Sequence, residues 1–106
     1  EAQIDAITAT HSPTHGYHAL ATLAKASEDA GLDQKTALIA AAHALSDGIA
    51  YWRESEMELN DLLHEAATPG GIAAATIAAM ETAGYARAVA SGIRAGIEQC
   101  RRNAKG

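Results

Sequence analysis

The chain has 106 residues, a formal net charge of −5, no phenylalanine and one cysteine, and alanine makes up about a quarter of it. This length predicts a single domain spanning residues 1–106. The acidic charge argues against nucleic acid as a partner, because phosphate binding needs basic patches. The lone Cys100 excludes an internal disulfide and is typical of a reducing cytoplasm. No signal peptide and no membrane-spanning segment are predicted, because charged or histidine residues interrupt the apolar runs.

The first half of the chain predicts three helices. Residues 1–9 form a short first helix, residues 10–16 are irregular, and a second helix runs over residues 17–30 and stops at Gly31. Asp33 is a good N-cap for a third helix that reaches residues 51–53. The positions at helical spacing on one face of each of these two long helices are Leu20, Leu23, Ala24, Ser27, Leu38, Ala41, Leu45 and Ile49.

The second half predicts three more helices. Ser55 followed by Glu58 matches a capping box, which predicts a helix from Glu56 to Ala67 with Met57, Leu59, Leu62 and Leu63 on its apolar side. Further helices are predicted over residues 72–82, ending at Gly84, and over residues 85–103. We expect Val89, Ile93, Ile97 and Cys100 to form a buried stripe on the last helix. No segment has strand periodicity, so the chain is predicted to be an all-α bundle of five to six helices.

Glycines mark two places where another group approaches the backbone. In Thr68-Pro69-Gly70-Gly71 a proline stops one helix and two glycines allow a sharp turn into the next. The N–H groups at the start of a helix suit a carboxylate or phosphate. Gly92 and Gly96 lie four residues apart in the last helix, which predicts close packing of another backbone on that face.

Three histidines fall within eight residues: His11, His15 and His18. Their spacing is compatible with a zinc site, but Pro13 and Gly16 interrupt the helix and no cysteine or carboxylate completes the set locally. A polar segment that lines a pocket, or surface histidines without a role, are the alternatives. We therefore predict no metal site.

Four segments carry a resemblance to a known family: residues 4–9 (IDAITA), 30–32 (AGL), 67–71 (ATPGG) and 80–89 (METAGYARAV). In this order and spacing they resemble the C-terminal dimerisation domain of pyrroline-5-carboxylate reductase, over about 100 residues. The resemblance implies an interlocked helical dimer like the C-terminal domain of 6-phosphogluconate dehydrogenase-like reductases. It also implies a Rossmann domain upstream, absent from this chain, that binds NAD(P)H.

The resemblance further implies a function and a site. The family reduces a cyclic imine carboxylate to proline with a hydride from NAD(P)H, so the full-length protein is expected to be an imine reductase. This chain alone is expected to bind no cofactor and to be inactive. Its partners are expected to be a second copy, or a higher oligomer, and a small carboxylate substrate. The residues predicted to contact the substrate are Thr68, Gly70, Gly71, Ile72, Ala73, Tyr17 and His15, of which the turn residues and Tyr17 follow from the resemblance.

Two departures from the family pattern lead to an alternative. The family usually has Ser-Gly-Ser-Gly-Pro-Ala-Tyr where this chain has residues 11–17 (HSPTHGY), and only Tyr17 matches. It also tends to have a threonine two residues after the Gly-Gly pair, where this chain has Ala73. His11 and His15 are candidate replacements for the missing polar groups. The alternative function is a non-catalytic helical oligomerisation or binding module that has kept the fold and lost the reaction.

Overall fold

The computed structural model describes residues 2–106, and this part of the chain is helical without strands. The helices are α1 (Ala2–Ala9), α2 (Thr14–Asp29), α3 (Gln34–Ser55), α4 (Leu59–Ala66), α5 (Ile72–Thr82) and α6 (Tyr85–Lys105). The all-α prediction is confirmed. None of these helices is both long and apolar enough to cross a lipid bilayer. Residue contacts divide the chain into two compact units, one of residues 13–63 and one of residues 2–12 with 64–106.

The first unit is built around an αα-hairpin of α2 and α3, which pack against each other. At the end of α2 the Gly31 N–H donates to the Glu28 carbonyl and the Leu32 N–H donates to the Ser27 carbonyl, at 3.0 and 3.1 Å. These bonds form a Schellman motif, and Gly31 has the positive φ of 128° that the motif requires. The predicted helix stop at Gly31 is therefore confirmed.

Asp33 then begins α3 as predicted. Its carboxylate accepts hydrogen bonds from the Thr36 backbone N–H at 3.0 Å and from the Thr36 hydroxyl at 2.8 Å. The bond from the backbone N–H, and to a smaller extent the bond from the hydroxyl, lowers the pKa of Asp33 below the usual value of an aspartate. Ala37 and Ala41 on the next turns of α3 are fully buried. The hairpin is thus defined by local signals at its turn and by alanines at its centre.

The start of α2 differs from the prediction. The helix begins at Thr14 rather than near Tyr17, so the segment predicted as irregular is shorter. Pro13 has φ −56° and ψ −17°, which are helical values, and its carbonyl accepts the first helical bond from the Tyr17 N–H at 3.1 Å. Proline is tolerated there because its missing N–H would have no helical partner at a first turn. Pro13 therefore starts this helix instead of interrupting it.

The predicted capping box at Ser55 is wrong. Ser55 is the last residue of α3, and Glu56 follows it as the C-cap with φ 60°. The Ser55 hydroxyl donates to the Trp52 carbonyl and accepts from the Met57 N–H, both at 3.2 Å. A serine hydroxyl satisfies the carbonyl end of a helix as well as the N–H end. As a result α4 begins at Leu59 instead of Glu56.

In the second unit, α6 packs against both α1 and α5. Ala6 of α1 is buried there. A Cβ atom added to Gly96 would lie 2.9 Å from the Thr10 Cγ2 atom, whereas one added to Gly92 would meet nothing within 4 Å. Within residues 2–106 a side chain, and not another backbone, therefore lies close to Gly96, and no atom lies close to Gly92. Close packing of another backbone on this face stays a prediction.

The predicted buried stripe on α6 is also wrong in part. Val89 is exposed, and Ile93, Ile97 and Cys100 are only half-buried. The hydrophobic side chains that are fully buried among residues 2–106 are the three alanines Ala6, Ala37 and Ala41. Alanines let two helices pack close together. The larger apolar side chains then lie at the edges of the helix contacts, where this chain covers them only in part.

Candidate functional site

The turn between α4 and α5 has the geometry that its residues predict. The Gly71 N–H donates to the Thr68 carbonyl at 2.9 Å, which closes a four-residue turn. Pro69 and Gly70 are its central residues, and Gly70 has φ 83°. Proline at the second position and a glycine with positive φ at the third position are the features of a type II turn.

Gly71 is favoured for a different reason. Its φ of −88° suits any residue, but an added Cβ atom would lie 3.1 Å from the Thr68 carbonyl oxygen. A side chain at this position would therefore crowd the carbonyl that closes the turn. Each residue of Thr68-Pro69-Gly70-Gly71 except the threonine thus has a backbone reason for its identity.

The turn places the start of α5 at the surface. Gly71 is the N-cap of α5, and the first helical bond runs from the Ala75 N–H to the Gly71 carbonyl at 3.2 Å. The N–H groups of Ile72, Ala73 and Ala74 come before that bond, so the helix itself does not use them. The N–H of Gly71 is already used within the turn. The donors available to an anion therefore begin one residue later than the sequence suggested.

The side chains at this turn are small or exposed. Ile72 is 89% exposed and Ala73 is half-buried. The Thr68 hydroxyl is exposed and donates to the Glu65 carbonyl at 3.3 Å. This contact was not predicted, although a threonine three residues after a helical carbonyl commonly bonds back to it. The hydroxyl bond is long, so a ligand can compete for this hydroxyl.

The predicted site residues are distributed over the two units. Thr68, Gly70, Gly71, Ile72 and Ala73 belong to the unit that contains α5, and their grouping follows from their adjacency along the chain. His15 and Tyr17 lie in the first turn of α2, and the Tyr17 side chain is 70% exposed. Their assignment to a substrate stays a prediction.

The three clustered histidines differ in local structure. His11 follows α1, and its Nδ1 atom lies 3.0 Å from the Ile7 carbonyl and 3.1 Å from the Thr10 hydroxyl. His15 and His18 lie on α2. Within residues 2–106, no three histidine, cysteine, aspartate or glutamate side chains are grouped so that they could hold a metal ion. The alternative of a zinc site thus has no geometric support in this part of the chain.

A second candidate functional feature is the apolar surface. No large apolar side chain among residues 2–106 is fully buried, and every helix of the structure carries exposed ones. The exposed set includes Ile4, Ile7, Leu23, Leu38, Ile39, Ile49, Tyr51, Trp52, Leu59, Leu63, Ile72, Met80, Tyr85 and Val89. Isolated exposed apolar residues are common, but a chain with only alanines in its core is typical of one that buries more surface on association.

Comparison with known proteins identifies one family. The model of the family described as pyrroline-5-carboxylate reductase dimerisation matches residues 1–103. No curated protein and no solved structure matches the chain significantly. The family match covers α1 to α5 and nearly all of α6, including the turn at Thr68-Pro69-Gly70-Gly71. The helical fold, the exposed apolar surface and this match lead to one conclusion: the chain belongs to the pyrroline-5-carboxylate reductase dimerisation family.

Proposed function

We propose that this chain is the dimerisation and substrate-carboxylate-binding part of an NAD(P)H-dependent imine reductase. The full-length enzyme would reduce a cyclic imine carboxylate to proline or a proline analogue, and two copies of this domain would interlock. The observation that supports the proposal best is the type II turn at Thr68-Pro69-Gly70-Gly71, which opens α5 in a chain of this family. The predicted cytoplasmic location is part of the same proposal.

The role of the turn follows from its donors. The backbone N–H groups of Ile72 and Ala73 belong to the first turn of an eleven-residue helix, and the positive end of the helix dipole there favours an anion. A substrate carboxylate bound there would hold the imine ring in one position and orientation on the protein. The Thr68 hydroxyl lies at the preceding turn and is a further candidate partner for the carboxylate.

The reduction itself requires a hydride donor. Nicotinamide bound to a preceding dinucleotide-binding domain would supply the hydride, and no cofactor site is proposed within this chain. The contribution of this chain is to bind and orient the substrate. Ala73 offers no hydroxyl, so we expect weaker substrate binding than a threonine at this position would give.

The test is made with the full-length protein. Oxidation of NADPH and of NADH is measured with pyrroline-5-carboxylate and with its six-membered-ring analogue. Gly71→Ala is expected to lower kcat/KM, because its Cβ crowds the Thr68 carbonyl that closes the turn. Gly48→Ala is the matched control, because an added Cβ meets nothing within 4 Å at this position in α3.

Two outcomes would contradict parts of this proposal. If the protein oxidises neither NADPH nor NADH with either imine but still forms dimers, the alternative of a non-catalytic oligomerisation module is favoured. If both glycine variants reduce kcat/KM equally, the loss does not come from the turn.

A further inference from the structure

Helix α3 carries an apolar row that this chain leaves partly uncovered. The residues Leu38, Ala42, Leu45, Ile49 and Trp52 follow one another at intervals of four, three, four and three. This is the alternating spacing of the contact positions in a coiled coil, continued over two heptads. We name these five residues the α3 seam.

The seam is distinct from the face that holds the hairpin together. Ala37 and Ala41 are buried by the packing of α2 against α3. Since successive residues are turned by about 100° around a helix, the seam lies roughly a quarter turn away from these two alanines. Its members Leu38 and Ile49 remain 48% and 53% exposed.

The far side of the same helix is polar. His43 and Asp47 are both exposed, and the His43 Nδ1 atom lies 3.6 Å from an Asp47 carboxylate oxygen across one turn. Helix α3 therefore has a packed alanine face, a solvated face, and between them an apolar seam whose middle residues Ala42 and Leu45 are half-buried and whose other members are exposed. A helix that faced only solvent on its outer sides would not carry such an apolar row, so we expect another surface to cover the seam.

We propose that the α3 seam packs against the α3 seam of a second copy of this chain, with the two helices antiparallel about a twofold axis near Leu45. The proposal rests on the dimerisation role of the family and is independent of substrate binding. A twofold contact brings the same surface of each copy together, which suits a single seam that is continuous along one helix.

The order of side-chain sizes favours the antiparallel arrangement. Leu38 and Trp52 lie seven residues to either side of Leu45, and Ala42 and Ile49 lie three and four residues to either side. An antiparallel pair therefore sets Leu38 opposite Trp52 of the second copy, and Ala42 opposite Ile49. A parallel pair would set alanine against alanine and tryptophan against tryptophan, so that one layer is underfilled and another overfilled.

The first experiment measures dimer dissociation of the 106-residue chain by sedimentation equilibrium. Ile49→Lys is expected to raise the dimer Kd at least tenfold, because it places a charge in the seam. Ile39→Lys is the matched control, because Ile39 lies on α3 with a similar exposure of 51% but outside the seam. It is expected to change the Kd less than twofold. Far-UV circular dichroism checks that both variants remain helical.

The second experiment tests the direction of the helices and does not depend on the lysine variants. Ala42→Cys and Ile49→Cys are made separately in a Cys100→Ala background. In the antiparallel pair the two Ala42 positions are offset by seven residues, or about 10 Å along the axis, which exceeds the Cα separation of up to about 7 Å that a disulfide spans. Each variant alone is expected to give little cross-linked dimer, and an oxidised mixture of the two is expected to give a disulfide between them.

The possible results separate this inference from the other roles of the chain. A dimer that survives Ile49→Lys unchanged, or cross-linking of each cysteine variant alone, overturns the antiparallel seam while leaving dimerisation intact. A monomeric unmodified chain overturns both the seam and dimerisation. Loss of imine reduction in a protein that still dimerises through the seam overturns only the proposed reaction.

Discussion

The contact of Thr10 with Gly96 allows a quantitative comparison of two glycines on one helix. Gly92 and Gly96 both lie inside α6, so replacement of either by alanine gains about 1 kcal/mol from helix propensity alone. At Gly92 an added Cβ meets nothing within 4 Å, so we expect Gly92→Ala to raise the free energy of unfolding by about 0.5–1 kcal/mol.

At Gly96 a second term opposes this gain. The added Cβ would lie 2.9 Å from the Thr10 Cγ2 atom, which is too close. Threonine is stiff about its first side-chain torsion, and the Thr10 hydroxyl also donates to the Ile7 carbonyl at 2.6 Å. Overpacking of this kind costs about 1–3 kcal/mol, so Gly96→Ala is expected to lower the free energy of unfolding by about 1 kcal/mol. The two variants should therefore differ by roughly 2 kcal/mol.

The assay is urea unfolding followed by circular dichroism, with all variants at the same protein concentration, because association shifts apparent stability. Thr10→Ser removes the Cγ2 atom and keeps the hydroxyl. In a double-mutant cycle it should recover most of the loss in Gly96→Ala, with a coupling energy of about 1 kcal/mol. If Gly96→Ala is as stable as Gly92→Ala and Thr10→Ser does not couple to it, the packing of α1 on α6 described above is wrong.

Three further predictions concern the helix cap, the glycines of the hairpin and the candidate site. Asp33→Ala should lower the melting temperature more than Asp33→Asn, which keeps an acceptor for the Thr36 N–H. The pKa of Asp33 is lowered in the folded state, so the contribution of its carboxylate to stability should be present above about pH 4 and lost as the pH falls below that value. Melting temperatures of Asp33→Asn and of the unmodified chain, measured over this pH range, check this. Gly31→Ala should destabilise the chain by about 1–2 kcal/mol because φ is 128° at that position, whereas Gly48→Ala should stabilise it by about 0.5–1 kcal/mol; chemical denaturation of both variants measures the contrast. In the full-length protein Ala73→Thr should lower the KM for an imine carboxylate about tenfold, corresponding to one additional hydrogen bond to a charged group, and an unchanged KM in steady-state kinetics would count against a carboxylate at this turn.

Much of the fold could be predicted because its boundaries are set by local chemistry. The stop at Gly31, the cap at Asp33 and the bounds of α5 follow from residues whose backbone preferences leave few alternatives. Ser55 shows the limit of such signals. Its hydroxyl serves either end of a helix, so the choice depends on how far α3 continues, which the four-residue pattern does not contain.

The candidate site was predictable only in part for a related reason. The turn at Thr68-Pro69-Gly70-Gly71 is specified by its own residues, and its geometry matches the expectation. The Gly71 N–H closes the turn by donating to the Thr68 carbonyl at 2.9 Å, whereas the sequence pattern predicts it as one of the donors available to an anion. The stripe on α6 was predicted as buried because periodicity reports an apolar face without saying which chain covers it.

The packing of α1 on α6 also affects the order in which the chain can fold. The hairpin of α2 and α3 has its partners close in sequence, so it can form as soon as those residues are available. Ala6 and Thr10, in contrast, pack against a helix about 85 residues further along the chain, and closing such a long loop is slow. Among the helices described here, α1 is therefore synthesised first and packs among the last, and a truncation within α6 would destabilise α1.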